Sequence, residues 1–95
     1  MKKNLSIIIA TFNEENNVKI LFDKIKKILK NDISWEIIFV DDGSKDKTLE
    51  QINYIRDKNS NVFLINRFNS RGLSSALIQG ALSSNSEFII FMDAD

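Results

Sequence analysis

Four short apolar runs recur along the chain, and the stretches between them carry the three- and four-residue spacing of amphipathic helices. The runs are Leu5 to Ala10, Trp35 to Val40, Val62 to Ile65 and Phe88 to Met92. Each is rich in β-branched or aromatic residues and nearly continuous, the pattern of a strand buried on both faces of a parallel sheet. Strands alternating with helices through short connections imply right-handed crossovers and helices on both faces.

The expected fold class is therefore α/β, a Rossmann-like three-layer α/β/α arrangement with a parallel sheet in the order 3-2-1-4. Its switch point falls between the first and fourth strands. In the first helix Val18, Leu21, Phe22, Ile25, Ile28 and Leu29 form the inward face, while Lys19, Lys24, Lys26, Lys27 and Lys30 point elsewhere. Asn13 reads as its cap with Glu14 and Glu15 in the first turn, and Asn31-Asp32 ends it. Ser44 reads as the cap of the second helix, with Asp46 in its first turn and a thin stripe of Leu49, Ile52 and Ile55. The third, from Leu73 to about Ser84, has an inward face of Leu73, Ala76, Leu77, Gly80 and Ala81, small enough for close approach to a sheet or ligand. Trp35 and Phe39 read as packing residues.

Composition narrows the function classes. Lysine plus arginine equals aspartate plus glutamate at 13 each, so overall charge points to neither nucleic acid nor an anionic membrane. The chain has no cysteine and no histidine, which removes disulfide frameworks, thiolate or imidazole metal sites and the commonest acid-base side chain. No apolar run approaches the roughly 20 residues of a membrane helix, and the run after Met1-Lys2-Lys3 lacks a cleavage pattern. A cytoplasmic location is expected.

The chemistry gathers at strand ends. The fourth strand stops at Asp93-Ala94-Asp95, the second at Asp41-Asp42-Gly43-Ser44, and the first at Thr11-Phe12-Asn13-Glu14. In isolation each is an ordinary polar turn. In the 3-2-1-4 order, however, Thr11, Glu14, Asp42, Asp93 and Asp95 meet around one crevice, where open α/β sheets bind ligands. A paired aspartate asks for a hard cation, magnesium or manganese, with Asp93 and Asp95 as its ligands. The turn after strand one has no glycine and no Gly-Lys-Ser/Thr loop exists, so neither common phosphate cradle is present. A phosphoacceptor receiver domain would need an acid pair after strand one, where this chain has Thr-Phe-Asn-Glu.

Taken together, ATFNEENNV, VDDGSKDKT, RGLSSALIQG and FMDAD resemble the front half of a family 2 glycosyltransferase of GT-A fold, with the flavour of dolichyl- or polyprenyl-phosphate mannosyl- or glucosyltransferases. The resemblance covers essentially the whole chain. It implies a nucleotide-diphosphate sugar donor of GDP-mannose or UDP-glucose type and a polyprenyl-phosphate acceptor, the alternatives being a saccharide acceptor or a non-catalytic nucleotide-sugar-binding module. By position it implies that Ala10, Thr11, Phe12 and Glu14 line the nucleoside. Asp42 would bond the base with Asp41 as its structural neighbour, and Arg67 or Arg71 would face the phosphates or sugar. Asp93, Ala94 and Asp95 would contact the nucleotide-sugar, and Asp93 and Asp95 the metal. Ala10 replaces a proline and Phe12 a tyrosine frequent in the family. Residues 1–95 then form a single partial domain of a larger enzyme. The acceptor half, any catalytic base and any segment holding it at the cytoplasmic face of a membrane would lie beyond Asp95, and a homo-oligomer is compatible with it.

Overall fold

The computed structural model describes residues 4–30, 32–67 and 72–94, and of residues 73 and 74 the backbone alone. Seven elements follow one another: β1 (Leu5–Thr11), α1 (Val18–Leu29), β2 (Trp35–Asp41), α2 (Thr48–Lys58), β3 (Val62–Asn66), α3 (Leu73–Ser83) and β4 (Phe88–Asp93). All strand pairs are parallel and the order is β3-β2-β1-β4, as the sequence implies. Progress from β1 to β3 runs in one direction across the sheet, and the β3 to β4 connection runs back. Crossovers of constant hand must then change faces at that reversal. They do: α1 and α2 cover one face and α3 the other.

The larger core lies under α1 and α2, where Val18, Phe22, Ile25, Ile52 and Ile55 pack on Ile7, Ile9, Ile37 and Phe39. Trp35 and Phe39 are packing residues as expected, and the Trp35 indole also donates to Lys30 O at 2.9 Å. The apolar face of α1 is narrower than the sequence suggests. Ile28 is 74% exposed, because Phe22 and Ile25 already fill the contact and Ile28 points past it.

On the opposite face Ala76 packs against Ile8, Ile38 and Val40. A Cβ on Gly80 would stand 2.3 Å from Ile8 Cγ2 and 3.2 Å from Val40 Cγ2, so the helix backbone itself touches the sheet. That close approach is what the run of small residues on α3 makes possible; the Leu73 side chain lies outside the described residues.

The helix starts differ from the expected caps. α1 begins at Val18 and α2 at Thr48, later than Asn13 and Ser44, and neither of those side chains caps a helix. Both are used to join the loops, as the site geometry shows.

Candidate active site

Parallel register brings the carboxyl ends of β1, β2 and β4 to one rim. Thr11 stands beside Asp41, and Ala10 beside both Val40 and Asp93. With neighbouring strands about 4.8 Å apart, Asp93 lies roughly two strand spacings from the end of β2. Thus the ends of β1, β2 and β4 share one rim at the switch point, where the sheet order reverses.

The two adjacent acids after β2 have different environments. Asp41 is fully buried and its lone pairs are taken up: Oδ1 accepts from Thr11 Oγ1 at 2.7 Å and Ser44 Oγ at 2.6 Å, and Oδ2 from the backbone N–H groups of Gly43 at 3.1 Å and Ser44 at 2.9 Å. Such a carboxylate is a structural anchor for the turn, in which Gly43 takes a left-handed φ of 89°. Asp42, 8% exposed, donates its backbone N–H to Thr11 O and faces Arg67, whose Nε lies 2.8 Å from Asp42 Oδ1. The two atoms form an ion pair without the alignment of a hydrogen bond. Asp42 Oδ2 accepts from Gly72 N at 3.2 Å, and Arg67 Nη2 donates to Ser75 Oγ at 2.8 Å. Arg67 is therefore buried against Asp42 and the start of α3.

The loops after β1 and β2 are stitched together. Asn13 N–H donates to Ser44 Oγ, and Asn13 Oδ1 accepts from Lys45 N–H at 2.8 Å. Glu14 N–H donates to Thr48 Oγ1 at 2.7 Å, and Glu15 N–H to Asp46 Oδ2 at 3.2 Å. Asn13 adopts φ 54° to make its contacts, a left-handed conformation that asparagine tolerates better than most residues. Asp46 also accepts from Thr48 N and Oγ1. Partial burial raises its pKa, but the hydrogen bonds from the Thr48 hydroxyl, Thr48 N–H and Glu15 N–H outweigh that and hold the carboxyl below its ordinary value.

Of the remaining residues singled out from the sequence, Ala10 is half-buried, Thr11 buried and Phe12 38% exposed at the rim. Glu14 is half-buried, and its carboxylate accepts from Asn17 Nδ2 at 2.9 Å. Asp93 is exposed and Ala94 buried beside it. Arg71 and Asp95 lie outside the described residues. Asn13, Ser44, Thr48 and Ser75 were not among the expected site residues. The signal for the first three was present, since polar side chains cluster at the ends of two adjacent strands, but local pattern assigns such residues to helix caps.

The glycosyl transferase family 2 model matches residues 6–95. The chain belongs to that family. It is 38% identical over 91 residues to the dolichol-phosphate mannosyltransferase of Pyrococcus furiosus, covering 96% of this chain and 25% of the relative. It is 33% identical to the dolichol-phosphate mannosyltransferase of Saccharomyces cerevisiae, covering 100% and 36%. Among solved structures, the mannosyltransferase PcManGT from Pyrobaculum calidifontis, in complex with GDP-Man and Mn2+, superposes with a TM-score of 0.86 at 22% identity, covering 100% of this chain and 28% of that one. The last likeness establishes the shared GT-A type fold. The chain thus spans between a quarter and a little over a third of the length of these relatives.

For a family 2 glycosyltransferase the donor set at this rim is chemically apt. With no histidine or cysteine in the sequence, any cation here meets oxygen ligands, which suits magnesium or manganese. Asp93 offers an exposed carboxylate at the end of β4. Among the described residues no three acidic side chains group closely enough to hold an ion by themselves.

Proposed function

We propose that this chain is the donor-binding half of a glycosyltransferase that moves a sugar from a GDP-mannose or UDP-glucose type donor to a polyprenyl phosphate. One observation carries the reading: Asp42 and Asp93, 51 positions apart in the sequence, reach the same rim of a β3-β2-β1-β4 sheet at its switch point. The names of the two mannosyltransferase relatives supply the acceptor class, and the manganese and GDP-Man in PcManGT's description supply the donor class and cation.

The residues divide the work by their chemistry. Asp42 is an acceptor-only carboxylate suited to the N–H edge of a nucleobase, and the latched loops after β1 and β2 give the nucleoside a rigid seat. Ala10 and the half-exposed Phe12 supply the wall beside it, and Thr11, buried against Asp41, holds the turn behind them. Asp93 would hold the divalent ion, with Asp95 as its second ligand; a bound ion neutralises the charge that develops on the leaving diphosphate. A phosphate acceptor is already anionic, so the transfer needs no strong general base. A lipid-linked acceptor would bring the reaction to a membrane surface, although no helix among the described residues is long and apolar enough to cross one.

Calorimetry of the 95-residue chain with GDP and UDP tests the reading. Binding of one of them, strengthened by Mn2+ and weakened by chelation, is expected, with Asp42→Ala lowering affinity roughly tenfold or more. Absence of binding to both nucleotides with Mn2+ present, or equal affinity for Asp42→Ala and wild type, overturns it.

A further inference from the structure

We propose that Arg67 is a positioning residue for nucleobase recognition, acting through Asp42 rather than on the phosphates. This rests on the reading of Asp42 as the group that meets the base. Two features of the geometry support it. First, the guanidinium is committed: Arg67 is 6% exposed, Nε faces Asp42 Oδ1 at 2.8 Å and Nη2 donates to Ser75 Oγ. A cation so enclosed is poorly placed to meet a diphosphate. Second, among the described residues Asp42 has no other charged partner, and its neighbour Asp41 is itself a fully buried carboxylate. Two adjacent buried acids repel, and without Arg67 the Asp42 side chain would turn toward water.

Arg67 is itself fixed at both ends. Its backbone N–H donates to Asp41 O at 2.8 Å, and its far end is tied to α3 through Ser75, whose hydroxyl also donates to Gly72 O at 3.2 Å. Asp42 Oδ1 is held inward, closed off from water. That leaves Oδ2, which accepts one bond from Gly72 N and keeps a further lone pair, as the oxygen that can take an N–H donor from a base. The ion pair thereby sets the rotamer of the one carboxylate that reads the nucleoside.

The test compares binding of GDP, UDP and inorganic pyrophosphate, each with Mn2+, by wild type, Arg67→Gln, Arg67→Lys and Asp42→Asn. Arg67→Gln is expected to weaken the preferred nucleotide roughly tenfold, the scale of one charge-assisted contact, and to leave pyrophosphate unchanged. Arg67→Lys, which keeps the charge but loses the fork, recovers part of the loss. Added to Asp42→Asn, Arg67→Gln costs nothing more. Weaker pyrophosphate binding with the nucleoside preference intact would make Arg67 a phosphate ligand and overturn the inference. So would equal losses for nucleotide and pyrophosphate accompanied by a lower Tm, the mark of a strut. If Arg67→Gln does not fold, unaltered nucleotide affinity in Arg67→Lys overturns it. An Asp42→Asn chain that binds nucleotide like wild type sinks the reading of Asp42 itself, whereas a weakened Asp42→Asn beside an unaffected Arg67→Gln sinks only the role of Arg67.

Discussion

The Thr11 hydroxyl donates to Asp41 Oδ1 at 2.7 Å across the β1–β2 boundary, with both side chains closed off from water. The pair fixes the turn on which Asp42 stands, because the same carboxylate also gathers the Gly43 and Ser44 N–H groups and the Ser44 hydroxyl. Asp41→Asn replaces one acceptor oxygen by a donor that faces donors. It is expected to lower stability by about 3 kcal/mol, and Thr11→Val by about 1 to 2 kcal/mol, as buried polar groups lose their partners. Urea unfolding of the two variants checks both values, and the ranking Asp41 over Thr11 is the part that matters.

Gly80 is where helix propensity and packing oppose each other. Glycine to alanine in a helix interior normally gains about 1 kcal/mol. Here the added methyl would meet Ile8 Cγ2 at 2.3 Å, on a strand held between two neighbours, so it cannot be absorbed by a flexible tip. Overpacking of this kind costs about 1 to 3 kcal/mol, and a net loss is expected. Combining Gly80→Ala with Ile8→Ala should cost less than the sum of the two single changes, a non-additivity read from the same unfolding curves.

Asp46 should contribute a pH-dependent share of stability. Its folded pKa lies below the ordinary 3.8, so the contribution is fully present above that value and is lost as pH falls through the folded pKa. Acid unfolding of wild type is expected to steepen below about pH 4. Asp46→Asn should show a shallower slope in that window and little change in slope near neutrality. Identical acid limbs in the two proteins would remove Asp46 from the latch between the loops.

Strand β4 sits at a sheet edge with Phe88, Ile89, Ile90 and Phe91 all exposed, two on each face. Its outer side has no partner strand among the described residues. Unpaired backbone groups flanked by apolar side chains template pairing with another chain. The 95-residue chain is expected to self-associate with rising concentration in gel filtration, and Phe91→Lys, at a position 52% exposed, to shift it toward monomer. A sharp monomer peak for wild type at all concentrations would contradict this.

Much of the frame is legible in the sequence. Apolar periodicity marks the seven elements, parallel strands put their carboxyl ends at one edge, and the half-Rossmann pattern implies the order that sets β1 between β2 and β4 and so brings Asp42 and Asp93 near one another. Burial decides such patterns, and burial is written in which residues are apolar and how they are spaced. What only the tertiary structure decided is the fate of individual polar groups. Asn13 and Ser44 have the chemistry of helix caps, and local rules assign them so. The fold instead brings two loops about 30 residues apart within hydrogen-bonding distance, and cross-loop bonds take those side chains. Likewise Asp41 and Asp42 are identical neighbours in the sequence. One becomes a sealed anchor and the other an ion-paired rim acid because strand alternation points their side chains at different surroundings, Thr11 and Ser44 in one case and Arg67 in the other.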